Sequence, residues 1–283
     1  MSMRSAPGAA AADDADAVLC SAMRADILLN GEESPRRHSR WAPVVVTMLF
    51  FAVTAARGED AAWRDLESRI QYAYYTEDGA QLRALTEAVA AAGSPEKLRG
   101  YYAGLLAWRG ALLAAETGGG AGADVAALAA HCLRAIDETL ALDPDFAEAL
   151  ALRAACLAAG AGRAPLGGYR ARRGLERALE LAPHDPRVLL IDAMSDYPGA
   201  SAAAVNRERA LPKLRSAVAA FEAERGGPER VPGWGAAEAW LLLGRDLLEH
   251  GDSVAARDAL EHALLIAPQF AQARRLMAQI TSG

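Results

Sequence analysis

Three eleven-residue stretches, LALDPDFAEAL (140–150), LELAPHDPRVL (179–189) and LLIAPQFAQAR (264–274), align without gaps on Pro144, Pro183 and Pro268. A recurring unit constrains a fold more than any single motif, because each copy must bury its apolar side against the next. The first two prolines are 39 residues apart, which fits a period of about 34 residues with a short insertion in GAGRAPLGG. The next two are 85 apart, room for two units and a long loop around Tyr197–Ala204.

What lies between the prolines reads as helix, break, helix. Trp63, Leu66, Ile70, Ala73 and Tyr74 fall at helical spacing, Glu77-Asp78-Gly79 interrupts, and Leu82, Leu85 and Val89 form a second stripe. Ser94-Pro95-Glu96 opens a third helix, with Ser94 placed to cap and Pro95 at the first helical position; that helix runs through Tyr102, Leu105, Leu106, Trp108 and Leu112 to Thr117. Asp124 caps a fourth. The chain is 52% hydrophobic but only 6% aromatic, its apolar runs are Ala and Leu, and no alternating strand pattern follows Ala61. The expected class is all-α.

The stretch EAWLLLGRDLLEHGDSVAARDALEHALLIAP (238–268) carries Trp240, Leu243, Gly244, Leu247, Ala256, Leu260, Ala263 and Pro268. In that spacing it resembles a tetratricopeptide repeat (TPR). Ala171, Leu175, Ala178 and Pro183 keep the second-helix pattern, and Cys132, Ile136, Thr139 and Pro144 keep it approximately. The resemblance covers residues 124–283, with residues 57–123 following as degenerate helical repeats. It implies a right-handed superhelix of antiparallel helix hairpins, five hairpins in all, closed by a C-terminal capping helix from Phe270 to Ile280. It also implies a concave groove lined by the first helices, which by position would present Glu238, Leu241, Leu242, Arg245 and Glu249 from the last unit and Glu148 and Leu152 from an earlier one. A carboxylate clamp for chaperone tails is not expected, because Leu241, Arg245, Ala151 and Ala155 stand where such repeats carry Lys and Asn.

Towards the N-terminus, Arg36, Arg37 and Arg40 precede the uncharged run Trp41–Ala56, and Val53, Ala55 and Ala56 suit cleavage before Arg57. Sixteen residues fall short of the roughly 20 that a spanning helix needs. Residues 36–56 therefore read as a signal peptide, and residues 1–35 as a disordered leader or a misplaced start. The expected location is the periplasm; the alternative is the inner membrane, anchored by an uncleaved segment 41–56.

Several chemistries are disfavoured. The net charge is −6 and no basic stripe with interleaved aromatics appears, so no nucleic-acid partner is expected. Cys20, Cys132 and Cys156 form no CxxC; Cys132 and Cys156 read first as core filler, with a bond between them left open. His250 and His262 sit in LEHG and LEHA on different helices, outside any HExxH arrangement, and read as structural. GGGAGA (118–123) matches GxGxxA only formally, since a helix and not a strand precedes it. Arg170, Arg172 and Arg173 form the one basic cluster and read as a solvated face. Five of the seven tyrosines lie between Tyr72 and Tyr102 and are expected to pack, with any exposed one offering a contact surface. No catalytic residue, cofactor or metal ligand is expected. The functional expectation is a non-catalytic scaffold that binds a protein or peptide segment in the bacterial cell envelope; the alternative is a helical small-ligand-binding protein or an accessory subunit of an envelope enzyme or transport system.

Overall fold

The computed structural model describes residues 60–117, 122–160, 165–196, 207–225, 227 and 231–282. The leader and signal-like segments, the GGGA tip of the glycine loop and the loop around Tyr197–Ala204 lie outside them. Eleven helices and no strand occur among the described residues. They are α1 (residues 60–75), α2 (Gly79–Ala91), α3 (Glu96–Thr117), α4 (Gly122–Leu142), α5 (Ala147–Gly160), α6 (Pro165–Leu181), α7 (Pro186–Asp196), α8 (Arg207–Arg225), α9 (Ala236–Glu249), α10 (Ser253–Ile266) and α11 (Ala271–Ser282).

The helices start and stop where local chemistry requires. Asp78 accepts from the Gln81 amide at the start of α2, Asp185 accepts from the Arg187 and Val188 amides at the start of α7, and Asp252 accepts from the Ala255 amide at the start of α10. Each supplies an acceptor to amides that have no partner within the helix. Pro144, Pro183 and Pro268 all fall in the short turns that end α4, α6 and α10, where a missing amide donor does no harm.

The helices pair as the repeat predicts: α3 with α4, α5 with α6, α7 with α8 and α9 with α10, and each second helix also packs on the first helix of the following hairpin. With α1 and α2 ahead and α11 behind, this gives five hairpins and a cap. The architecture is an all-α, TPR-like array of antiparallel hairpins. Its interhelical contacts rest on small residues. A Cβ on Gly244 of α9 would lie 2.8 Å from Leu260 Cγ and 3.2 Å from the Ala256 carbonyl of α10. A Cβ on Gly104 of α3 would lie 2.5 Å from Ile136 Cδ1 of α4, with the Cys132 carbonyl 3.5 Å away. The two glycines therefore occupy the same place in two hairpins, which puts α3 and α4 in one repeat unit. Residue 124, where the recognisable repeats begin in sequence, lies within α4.

The second-helix pattern recurs once more than the sequence showed. Ala210, Leu214 and Ala217 of α8 are fully buried at the spacing of Ala256, Leu260 and Ala263 in α10 and of Leu175 and Ala178 in α6. Cys132 and Cys156, at equivalent depth in α4 and α5, are joined by a disulfide with Cα atoms 6.1 Å apart, so the preference for free core cysteines is corrected here.

Candidate functional site

Successive first helices pack against one another, α3 on α5, α5 on α7 and α9 on α11, and so form the inner layer of the array. Its curvature brings α1 onto α9 and α11. Tyr74 and Tyr75 of α1 meet the ring of Phe270 at 6.3 and 4.4 Å, and the Tyr75 hydroxyl donates to Glu238 Oε2 at 2.7 Å. Glu67 of α1 accepts from the Tyr102 hydroxyl at 2.5 Å and from the Gly233 amide at 2.9 and 3.0 Å. Trp234 donates from Nε1 to the Tyr101 hydroxyl at 2.8 Å. At the rim Arg275 of α11 pairs with Glu77, just beyond α1.

Arg109 lies at the centre of this layer, 1% exposed, and forms an ion pair with Glu238. Its guanidinium lies 4.1 Å from the Tyr74 ring centroid and 5.0 Å from those of Trp108 and Trp234. Burial acts against its charge, but Glu238 and the two tyrosines more than offset that, and its pKa lies above the ordinary value. Burial pushes the Tyr74 phenol up to about 12. An aromatic shell around a buried cation, with a carboxylate to neutralise it, offsets the cost of burying the charge.

The residues expected to line a groove are placed mostly in the interior. Glu238, Leu241, Leu242, Glu148 and Leu152 are all buried, at 4%, 3%, 6%, 8% and 0% exposure. Arg245 is partly buried and Glu249 exposed. Five of the seven are therefore core, and one of them, Glu238, is met there by Tyr75 of α1. Of the tyrosine cluster, Tyr74, Tyr75, Tyr101 and Tyr102 are buried, and only Tyr72 is exposed. The two histidines of the last hairpin each have a neighbour within the protein. His250 Nδ1 lies 2.7 Å from the Asp246 carbonyl at the end of α9, and His262 stacks on Trp240 at 4.4 Å. Among the described residues no group of three His, Cys, Asp or Glu is placed to hold a metal ion.

Among the described residues an open concavity lies elsewhere. Helices α2 and α4 both pack on α3 without closing over it, and leave a cleft of about 1250 Å³. Gly100, Ala103, Ala107, Gly110 and Ala114 of α3 run along its floor beside Leu106 and Leu113. Leu82, Thr86 and Val89 of α2 form one wall, and Leu128, His131 and Ala135 of α4 the other. Arg83, Arg99 and Arg134 line it from three different helices. Sequence reasoning missed this face, because its floor residues are the small ones that also mediate helix packing. A signal was present in the length of α3, 22 residues, which a 13-residue α2 cannot cover.

Comparison with protein families finds no match, and no curated protein matches the sequence. Among solved structures, the chain is similar to the HusA haemophore from Porphyromonas gingivalis, with a TM-score of 0.52 at 21% identity over 66% of this chain and 92% of HusA. The crystal structure of MamA matches 56% of this chain and 79% of its own, at 18% identity and a TM-score of 0.38, too low to carry an argument. The chain has a helical-repeat fold. At these identities the likeness extends to the fold alone.

Proposed function

We propose that this chain is a non-catalytic binding module of the TPR type, and that it receives a segment of another protein in the α2–α3–α4 cleft. The single observation that carries this reading is the cleft itself: a floor of small apolar residues between two walls carrying charge, in an array whose inner layer α1 covers at Glu238 and Phe270. A preformed surface on rigid helices limits the ordering cost of association. The Cys132–Cys156 disulfide supports the exported, periplasmic location expected from residues 36–56, since such bonds persist in oxidising compartments. N-terminal sequencing of the native protein checks that location, and a mature end well before residue 50 would count against it.

The test of the cleft is photo-crosslinking in cells from a benzoylphenylalanine at Thr86 or Ala127, both exposed on its walls. A discrete protein adduct from these positions, absent with the probe at Val254 on α10, is expected. Adducts equally abundant from all three positions would remove the reading.

A small apolar ligand bearing carboxylates is a second reading, favoured by His131 and the arginines on the cleft walls. HusA is named as a haemophore, so haemin is the first such ligand to titrate, with a red-shifted Soret band lost in His131→Ala as the expected sign.

A further inference from the structure

The α5–α6 hairpin carries a long run without acidic residues. Between Glu148 and Glu176 the chain holds five arginines, Arg153, Arg163, Arg170, Arg172 and Arg173, and no Asp, Glu or Lys, in a protein whose net charge is −6. Arg163 lies outside the described residues. The pairing of the two helices brings the others together. A Cβ on Gly174 of α6 would lie 3.7 Å from the Leu150 carbonyl of α5, and one turn along each antiparallel helix from that contact Arg153 stands level with Arg170 and Arg173. These three arginines, with Tyr169 and Gly174, line a concavity of about 510 Å³. None of its lining residues belongs to the α2–α3–α4 cleft.

The charge of this patch is only partly neutralised from within. Arg170 and Arg172, both exposed, have no ion-pair partner among the described residues. Arg173 comes no nearer to Glu176 than 3.7 Å, beyond hydrogen-bond length. Arg153 donates from Nε to Asp137 of α4 at 2.6 Å, which leaves the edge bearing its two terminal nitrogens for a second carboxylate. Tyr169 is 63% exposed and adds a flat apolar surface beside the guanidinium groups, the residue pair most often found where a contact carries binding energy.

The surroundings choose the kind of anion. Asp137 stands on the α4 side, Glu176 follows Arg173, and Asp145 and Glu180 hold Arg177 one turn further along α6. A membrane surface, with its negative charge spread over a plane, would meet those four carboxylates together with the arginines and be repelled by them. A narrow segment carrying a file of carboxylates meets the arginines alone, and each carboxylate can take a forked pair of hydrogen bonds from a guanidinium.

We propose that the Arg153, Arg170 and Arg173 patch beside Tyr169 binds a short acidic segment of a partner protein, a run of Asp and Glu residues, at a site separate from the α2–α3–α4 cleft.

Fluorescence anisotropy of the full chain with a labelled peptide of alternating Glu and Gly tests it, at about 50 mM salt so that screening is weak. Binding is expected that the same peptide with Gln for Glu lacks. Arg170→Glu with Arg173→Glu should weaken it at least tenfold. Arg215→Glu with Arg257→Glu, an equal change of net charge at exposed positions of α8 and α10, should leave the affinity essentially unchanged. So should Thr86→Trp with Ala127→Trp, at exposed positions on the cleft walls. An equal loss in the Arg215, Arg257 variant would reduce the effect to net charge and overturn the site. Loss in the tryptophan variant, with the Arg170, Arg173 variant unaffected, would move the segment to the cleft and overturn it as well. So would a native chain that ignores the acidic peptide, whether it binds nothing or instead binds phosphatidylglycerol vesicles or oligothymidylate through Arg170 and Arg173.

Discussion

Arg109 is the residue on which the interior depends most, because it is the cation that makes a buried Glu238 tolerable. Arg109→Met removes the partner and leaves the carboxylate stranded, so a loss of about 3–5 kcal/mol is expected in urea unfolding. Adding Glu238→Gln should recover much of it; a double variant no more stable than Arg109→Met would contradict the pairing. Gly104 makes a steric counterpart. Its Cβ position is 2.5 Å from Ile136, and Gly104→Leu should destabilise by about 1–3 kcal/mol through forced separation of α3 and α4. Glu67 adds a pH dependence. Burial raises its pKa above the ordinary 4.5, more than the hydrogen bonds from Tyr102 and Gly233 and the charge of Arg187 lower it. A carboxyl with a folded pKa above its unfolded one contributes stability that is fully present below about 4.5 and is lost as pH rises through the folded value. Comparing urea midpoints of wild type and Glu67→Gln from pH 4 upward should show that the variant lacks this decline.

At the scale of elements, α1 does most to distinguish this array from an open one. Trp63, Ile70, Ala73, Tyr74 and Tyr75 put nearly all of its apolar side into the inner layer, where an open array would expose that layer to a ligand. A chain beginning at residue 79 should therefore lose cooperative unfolding and bind the dye ANS, as probed by circular dichroism and fluorescence; an unchanged melting profile would show that α1 is dispensable. The helices themselves were largely legible. Stripes such as Leu82, Leu85 and Val89, and stops such as Pro144 and Pro268, place their elements because burial and proline sterics act over one or two turns. The pairing of α3 with α4 was not legible. Gly104 stands 32 residues before Ile136, whereas Gly244 stands 16 before Leu260, so long helices and the glycine loop conceal a shared contact behind a doubled spacing. Ala210, Leu214 and Ala217 went unread for a related reason, since no proline follows them at the repeat's usual distance.

The whole molecule combines neighbour-to-neighbour stacking with closure between its ends. The disulfide belongs to the first kind. It joins α4 to α5 in consecutive hairpins across 24 residues, a loop for which chain entropy gives about 3 kcal/mol. Unfolding with and without a phosphine reductant should differ by that order, and a difference near zero would show that packing alone holds the two helices. Closure is the second kind. Tyr75 and Glu238 are 163 residues apart and Glu67 and Gly233 are 166 apart. By itself the sequence determined the all-helical class, the hairpin rhythm and the cap, because helix propensity, proline stops and small-residue spacing are local. Only the tertiary structure decided that α1 packs on the inner layer at Glu238 and Phe270 and that, among the described residues, a cleft opens between α2 and α4. Both depend on how far the array curves, which is the sum of small rotations between successive hairpins and is written in no single repeat.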